Sequence, residues 1–202
     1  MQPDTTKLWS RAEIRANLGK ILVESLGVDE ATVTDEAALV RDLGAESIDF
    51  LDISFKSQQT FGVDLPARLI QDRVVEWRDL SVLSEVVVER YGLTVSAEEL
   101  RTVAPATVTA ILAYLEGKHG LGRADAEERA LAQALAERLL GNLDGMGLDF
   151  RDLDPEALAT HFLDNLHSPA AMAEVMNRFT VGALTTYITG RLAGTGRLAN
   201  GA

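Results

Sequence analysis

Ser47 is the residue of this chain best placed to do chemistry. It follows Arg41-Asp42-Leu43-Gly44-Ala45-Glu46 and opens a helical pattern, Ile48-Asp49-Phe50-Leu51-Asp52, so one hydroxyl stands at the mouth of a helix among carboxylates. A serine there can cap the helix, act as a nucleophile or serve as a point of covalent attachment. Nucleophilic hydrolysis is the poorest fit, because no histidine lies near Ser47 in sequence and no nucleophile-elbow motif surrounds it. His119, His161 and His167 are spaced so that no pair stacks on one helix face, which argues against a metal site. Asp49 and Asp52 lack a partner nucleophile and read as solvated charge. With no cysteine in the chain, neither disulfides nor a thiolate are available, and any thioester chemistry needs a borrowed thiol.

The elements that must position Ser47 are helices. Aromatics make up 5% of the 202 residues and hydrophobic residues 47%, with Ala, Leu and Glu recurring at helical spacing, so the fold class is all-α. Ser10 and Glu13 form a capping box before Ile14, Leu18, Ile21, Leu22 and Leu26, and Gly27 stops that helix. A long connection from Val28 to Glu46 follows, which Val33, Leu39 and Leu43 are expected to pin to the core. The next helix runs from Ser47 to Phe61 with Ile48, Leu51 and Phe55 as its expected inward stripe, and ends at Gly62 before Pro66.

Net charge is -12 and the isoelectric point is about 4.7. This balance argues against nucleic acid and against anionic membrane faces, and favours protein partners with basic patches. No stretch reaches the roughly 20 apolar residues of a membrane span, and the N-terminus lacks the apolar run of a signal peptide, so a cytoplasmic monomer is the expectation.

The motif Asp42-Leu43-Gly44-Ala45-Glu46-Ser47-Ile48-Asp49, with the leucines before it and Phe61-Gly62-Val63-Asp64-Leu65-Pro66 after it, resembles the modification site of acyl carrier proteins. The resemblance implies a four-helix carrier that is not an enzyme, with 4'-phosphopantetheine attached at Ser47 by a phosphopantetheinyl transferase that uses coenzyme A and a divalent cation. It further implies acyl thioesters on that arm, handed to acyl-transferring and chain-elongating enzymes of fatty-acid, polyketide or specialised lipid biosynthesis. Gly44, Glu46 and Ile48 then flank the attachment point, and Asp42, Asp49, Asp52 and Lys56 become docking residues. A phosphodiester at Ser47 would lie by unsatisfied helix amides, and Gly44 would ease a tight approach. Two departures stand out: Glu46 replaces the family's usual aspartate, and Ser54-Phe55-Lys56-Ser57-Gln58-Gln59 is less acidic than the family's docking helix. The rival reading is a non-catalytic interaction protein that keeps the carrier fold without being modified.

The chain is longer than such a carrier requires. Phe61-Gly62-Val63-Asp64-Leu65-Pro66-Ala67 and Tyr91-Gly92-Leu93-Thr94-Val95-Ser96-Ala97 share one pattern of helix exit, which marks residues 67–94 as an insertion. Within it Leu69, Ile70, Val74 and Trp77, then Leu80, Leu83, Val87 and Tyr91, are spaced for two amphipathic helices. Ser96 and Thr107 cap the expected third and fourth helices, the fourth turning Val108, Ile111, Leu112 and Leu115 inward, so the carrier-like domain spans 8–120 with its linker at 117–122. Residues 121–192 form the expected C-terminal helical unit, and 193–202 a frayed tail. That unit resembles a degenerate carrier repeat: Thr180 to Gly190 parallels Thr107 to Gly117, while Arg151-Asp152-Leu153 with Glu156-Ala157-Leu158 parallels the Ser47 motif with Ala157 in place of the serine. Similar helix caps alone would reproduce part of that match.

Overall fold

A computed structural model describes residues 7–65, 80–122, 127–144 and 153–199, the side chains of 47 and 142–144 excepted. The described residues hold nine α-helices and no strand: α1 (Arg11–Leu26), α2 (Ser47–Phe61), α3 (Ser81–Tyr91), α4 (Ala97–Arg101), α5 (Val108–His119), α6 (Glu127–Asp144), α7 (Pro155–Asp164), α8 (Pro169–Met176) and α9 (Val181–Gly194), with a 3-10 turn at Glu30–Thr32. Among them no helix is long and apolar enough to cross a membrane. Leu69, Ile70, Val74 and Trp77 of the expected insertion lie outside the described residues.

The helix boundaries follow local chemistry. Ser10 and Glu13 make a reciprocal capping box, and Ser96, Thr107, Asp154 and Thr180 each accept a first-turn amide at the starts of α4, α5, α7 and α9. Gly27, Gly62, Gly92 and Gly120 close α1, α2, α3 and α5 in the left-handed region.

The chain folds as two compact units whose boundaries differ from those expected. Unit 1 joins residues 1–71 to 176–202, with the short stretch 146–149, and unit 2 is made of 72–145 and 150–175. The expected linker at 117–122 lies within unit 2, because Gly117, Lys118 and His119 continue α5 and Gly120 caps it. The expected unit 121–192 is likewise divided, with α6 and α7 in unit 2 and α9 in unit 1. Sequence alone did not reveal this because α5 and α9 carry nearly the same pattern, a threonine cap before an apolar face, and either could complete a carrier bundle.

In unit 1, α1 packs against both α2 and α9. Ile14, Leu18 and Leu22 of α1, Phe50, Ile53 and Phe61 of α2, and Val181, Leu184, Ile188 and Leu192 of α9 are buried. Val33, Leu39 and Leu43 are buried too, so the long connection is pinned as expected. Its backbone is tied to the segment entering α9: Leu39 N–H donates to the Phe179 carbonyl at 2.9 Å, Val181 N–H to Ala37 at 3.0 Å and Gly182 N–H to Asp35 at 2.9 Å. The Asp42 carboxylate accepts from the Ala38 amide at 2.8 Å and so closes the turn inside the connection.

Residues 193–199 of the expected frayed tail are ordered. Trp9 donates its amide to the Arg197 carbonyl and accepts at its own carbonyl from Ala199, both at 2.9 Å, while Arg197 Nη1 reaches the Phe61 carbonyl at 2.7 Å. These bonds and the edge-on packing of Trp9 against Phe61, with centroids 4.9 Å apart, join both ends of unit 1 to the exit of α2.

In unit 2, α6 packs along α7 and against α3 and α5. Val82, Leu83, Val86 and Val87 join Ile111, Leu112, Leu115, Leu131, Leu135, Leu158 and Phe162 in one buried cluster. The Val86-Val87-Val88 run is helical despite its β-branching, because two of its members fall on the buried face of α3.

A β-carbon at Gly182 would sit 3.0 Å from the Asp35 carbonyl oxygen, a backbone atom held in the junction just described, whereas one at Gly190 would meet nothing within 4 Å. Gly182→Ala is therefore expected to destabilise unit 1 by about 1 to 3 kcal/mol, and Gly190→Ala to stabilise it by about 0.5 to 1 kcal/mol. Urea unfolding followed by Trp9 fluorescence in a Trp77→Phe background checks both. Because the Arg41 guanidinium and then the Ala38 amide hold the Asp42 carboxyl at about 2, its contribution is complete above its unfolded value near 4 and is lost as pH falls from there towards 2. Asp42→Asn should flatten the acid side of the unit 1 stability profile in that window, read by the same fluorescence between about pH 5 and pH 2.

Candidate functional site

The turn that delivers Ser47 is wound by its own backbone. Asp42 and Leu43 donate their amides to the Ala38 carbonyl, Gly44 donates to Val40, and Ala45 donates to Leu39 at 2.8 Å. Gly44 carries the reversal with φ of 69°, a conformation that a side chain disfavours. A β-carbon there would meet no atom of the chain within 4 Å, so within the chain it is the backbone shape that calls for glycine. Leu43 and Ala45 are buried on either side of it, and the chain then enters α2 with Ser47 as its first residue.

Asp49 occupies the position that closes the helix start. Its carboxylate accepts from the Glu46 amide at 2.8 Å, and its own amide donates to the Glu46 carbonyl at 3.0 Å. The amides of Ser47 and Ile48 fall in the first turn, where a helix offers no internal acceptors, and the dipole there favours an anion. This end of α2 is therefore suited to an anion, with Gly44 in the turn before it and Glu46 and Ile48 on either side of Ser47.

The inward stripe of α2 differs from the expected one. Ile48 is 67% exposed, Leu51 38% and Phe55 62%, while Phe50, Ile53, Ser54, Ser57 and Phe61 face the interior. Both sets have helical spacing, so periodicity could not choose between them. The signal that could have chosen is Phe61, which stands against the stop at Gly62 and is in register with Phe50, Ile53 and Ser57. That register buries two serines, and the Ser57 hydroxyl has no hydrogen-bond partner there.

The acids expected to attract basic partners are engaged within the chain. Asp42 is bound by Arg41 through two contacts, at 2.8 and 2.7 Å, and by the Ala38 amide. Asp52 receives Lys56 at 2.8 Å and the Ser25 hydroxyl at 2.6 Å, and Lys56 in turn donates to Ser25 at 3.0 Å. Lys56, then Ser25, hold the Asp52 carboxyl below its usual range. Ser25 had no place in the sequence-based reading. It closes a three-membered network between the end of α1 and the middle of α2, and the charged Asp52–Lys56 pair makes that serine a structural tie and not a nucleophile.

The histidines are dispersed. His119 lies 3.4 Å from Glu99, in a cluster where Lys118 and then Tyr114 hold that carboxyl at about 2, and His161 meets Glu174 at 3.1 Å. Among the described residues no group of three or more His, Cys, Asp or Glu side chains could hold a metal ion. Unit 2 has an open groove of about 580 Å³ lined by Val86, Glu89 and Arg90 of α3 and Ala134, Glu137, Arg138 and Gly141 of α6, with Arg138 paired to Glu85 and Glu89.

The family model described as a phosphopantetheine attachment site matches residues 17–76, which takes in α1 from its middle, the pinned connection and the whole of α2. An acyl carrier protein of Thermotoga maritima is 48% identical over 54 residues, covering 27% of this chain and 67% of that protein. No solved structure matches the chain. The matched segment contains Ser47, its turn and its helix, and on that identity the chain belongs to the acyl carrier protein family, non-catalytic carriers whose covalent cofactor is 4'-phosphopantetheine.

Proposed function

We propose that Ser47 bears the phosphopantetheine arm and that the protein tethers acyl intermediates on it for the enzymes of a fatty-acid, polyketide or specialised lipid pathway. The observation that carries this reading is the position of Ser47: first residue of a 15-residue helix, behind a left-handed glycine turn, inside the segment matched by the attachment-site family. In the charging step the Ser47 oxygen forms a bond to the β-phosphorus of coenzyme A, the pyrophosphate bond breaks, adenosine 3',5'-bisphosphate leaves, and the hydroxyl proton is lost. The terminal thiol of the bound arm supplies the sulfur that this cysteine-free chain lacks, and it holds acyl groups as thioesters.

The residues around Ser47 have separable parts in this reading. The first-turn amides receive the phosphodiester, Gly44 sets the backbone reversal, and Asp49 and Glu46 hold the helix start in shape. Carrier proteins work with a phosphopantetheinyl transferase and with acyl-handling enzymes, and the exposed start of α2 is where such enzymes reach the arm. The internal pairing of Asp42 and Asp52 favours a second reading, in which the protein keeps the fold as an uncharged scaffold.

Intact-mass measurement of the full chain after coexpression with a promiscuous phosphopantetheinyl transferase separates the two. The wild type is expected to gain the mass of one phosphopantetheinyl group and Ser47→Ala none. A wild type of unchanged mass, or a gain that persists in Ser47→Ala, would be incompatible with attachment at Ser47. Gly44→Ala, which strains the left-handed turn by about 1 kcal/mol or more, is expected to slow charging without abolishing it in the same assay.

A further inference from the structure

The inward face of α2 is not uniformly apolar. Phe50, Ile53 and Phe61 are buried there, and among them stand Ser54, 8% exposed, and Ser57, fully buried. Among the described residues the Ser57 hydroxyl and the Trp9 indole N–H are buried without a hydrogen-bond partner. Phe61 links the two: it follows Ser57 by one turn of α2, and its ring packs edge-on against Trp9 with centroids 4.9 Å apart. A hydroxyl taken out of water and left unpaired is a standing cost to the fold. Close packing does not require it, since alanine fills less space, forms helix more readily and buries no polar atom. The hydroxyl at Ser57 calls for a partner that the chain itself does not supply.

The place of Ser57 in α2 narrows what that partner is. Ser54 lies at i+7 from Ser47, two turns along the same side of the helix, and Ser57 is one turn further, about 15 Å from Ser47 along the axis. A group tethered at Ser47 is held at high effective concentration over this stretch of α2. Condensation of two acyl units leaves a ketone on the third carbon of the product, which reduction converts to a hydroxyl and only further steps remove. Either oxygen accepts a hydrogen bond from a serine hydroxyl, whereas a fully reduced alkyl chain offers it nothing.

We infer that this carrier is built for acyl groups that keep an oxygen on the third carbon, and that Ser57 selects them by donating its hydroxyl proton to that oxygen when the acyl group folds against the inward face of α2. The inference rests on the reading of Ser47 as the attachment residue, and narrows its cargo from acyl groups in general to hydroxyacyl and ketoacyl groups. Ser57 touches cargo and takes no part in charging, since no covalent bond forms or breaks at it.

The test charges the full-length apo protein with a promiscuous phosphopantetheinyl transferase from octanoyl-coenzyme A or 3-hydroxyoctanoyl-coenzyme A, and follows cleavage of the thioester by hydroxylamine through intact mass. Each rate is divided by that of the same acyl group on coenzyme A, which removes the intrinsic effect of the hydroxyl on the thioester. In the wild type the 3-hydroxyoctanoyl group is expected to be protected about fivefold more than the octanoyl group, and in Ser57→Ala the two are expected to be protected alike. Apo Ser57→Ala should melt at or above the wild type, because it removes a buried hydroxyl without a partner and improves the helix. Equal protection of both acyl groups in the wild type, or a loss in Ser57→Ala by the same factor for both, overturns the inference. So does an apo Ser57→Ala that melts well below the wild type, since the hydroxyl would then have its partner within the fold. A wild type that gains no mass from either thioester removes the attachment reading, and this inference with it, and intact mass shows that before any cleavage rate is taken.

Discussion

The constraint on which unit 1 depends is the pairing of the long connection before α2 with the segment that enters α9. Three backbone hydrogen bonds, from Leu39, Val181 and Gly182, join residues 35–39 to 179–182, and a second set joins Trp9 to Arg197 and Ala199. The connection has no regular structure beyond one 3-10 turn, so its amides and carbonyls need partners from elsewhere. Those partners, together with Val33, Leu39 and Leu43 in the core, fix the turn at Gly44 and hence the position at which α2 begins. The attachment motif is local in sequence, but its geometry is set by residues at the far end of the chain.

This arrangement explains what could be read from sequence and what could not. Helix starts and stops were legible because they are local: Ser10 with Glu13, Thr107, Asp154 and Thr180 announce starts, and Gly27, Gly62, Gly92 and Gly120 announce ends. The Ser47 motif was legible for the same reason. The assignment of helices to units was not, since α5 and α9 present similar caps and apolar faces and only tertiary contacts choose between them. The facing of α2 was illegible because two apolar stripes share one period, and the choice falls to the neighbours of Phe50, Ile53 and Phe61 in the folded unit.

Charge shows the same division between local and tertiary information. A count of acids around Ser47 suggests a strongly negative docking face, and the overall charge of -12 supports that impression. The fold commits three of those acids: Asp42 to the turn, Asp49 to the helix start, and Asp52 to a lysine and a serine that tie α1 to α2. What α2 presents outward is correspondingly apolar, which sequence periodicity had assigned to the core. The buried Ser54 and Ser57 are the complement of that exchange.

The discontinuity of unit 1 also has a consequence for the order of events during synthesis. Ser47 leaves the ribosome well before the segment at 176–199 exists, and at about 5 to 20 residues per second the gap of some 130 residues corresponds to roughly 7 to 26 s. Throughout that interval the serine is present in a chain that lacks α9 and the three bonds that join residues 35–39 to 179–182. A transferase that reads α2 as a positioned helix would therefore find its substrate only after the intervening unit has been made. Nascent chains and chains broken off within unit 2 would carry Ser47 without residues 179–182 to anchor the connection before α2, so the placement of that helix would be fixed only once the intervening unit has been made.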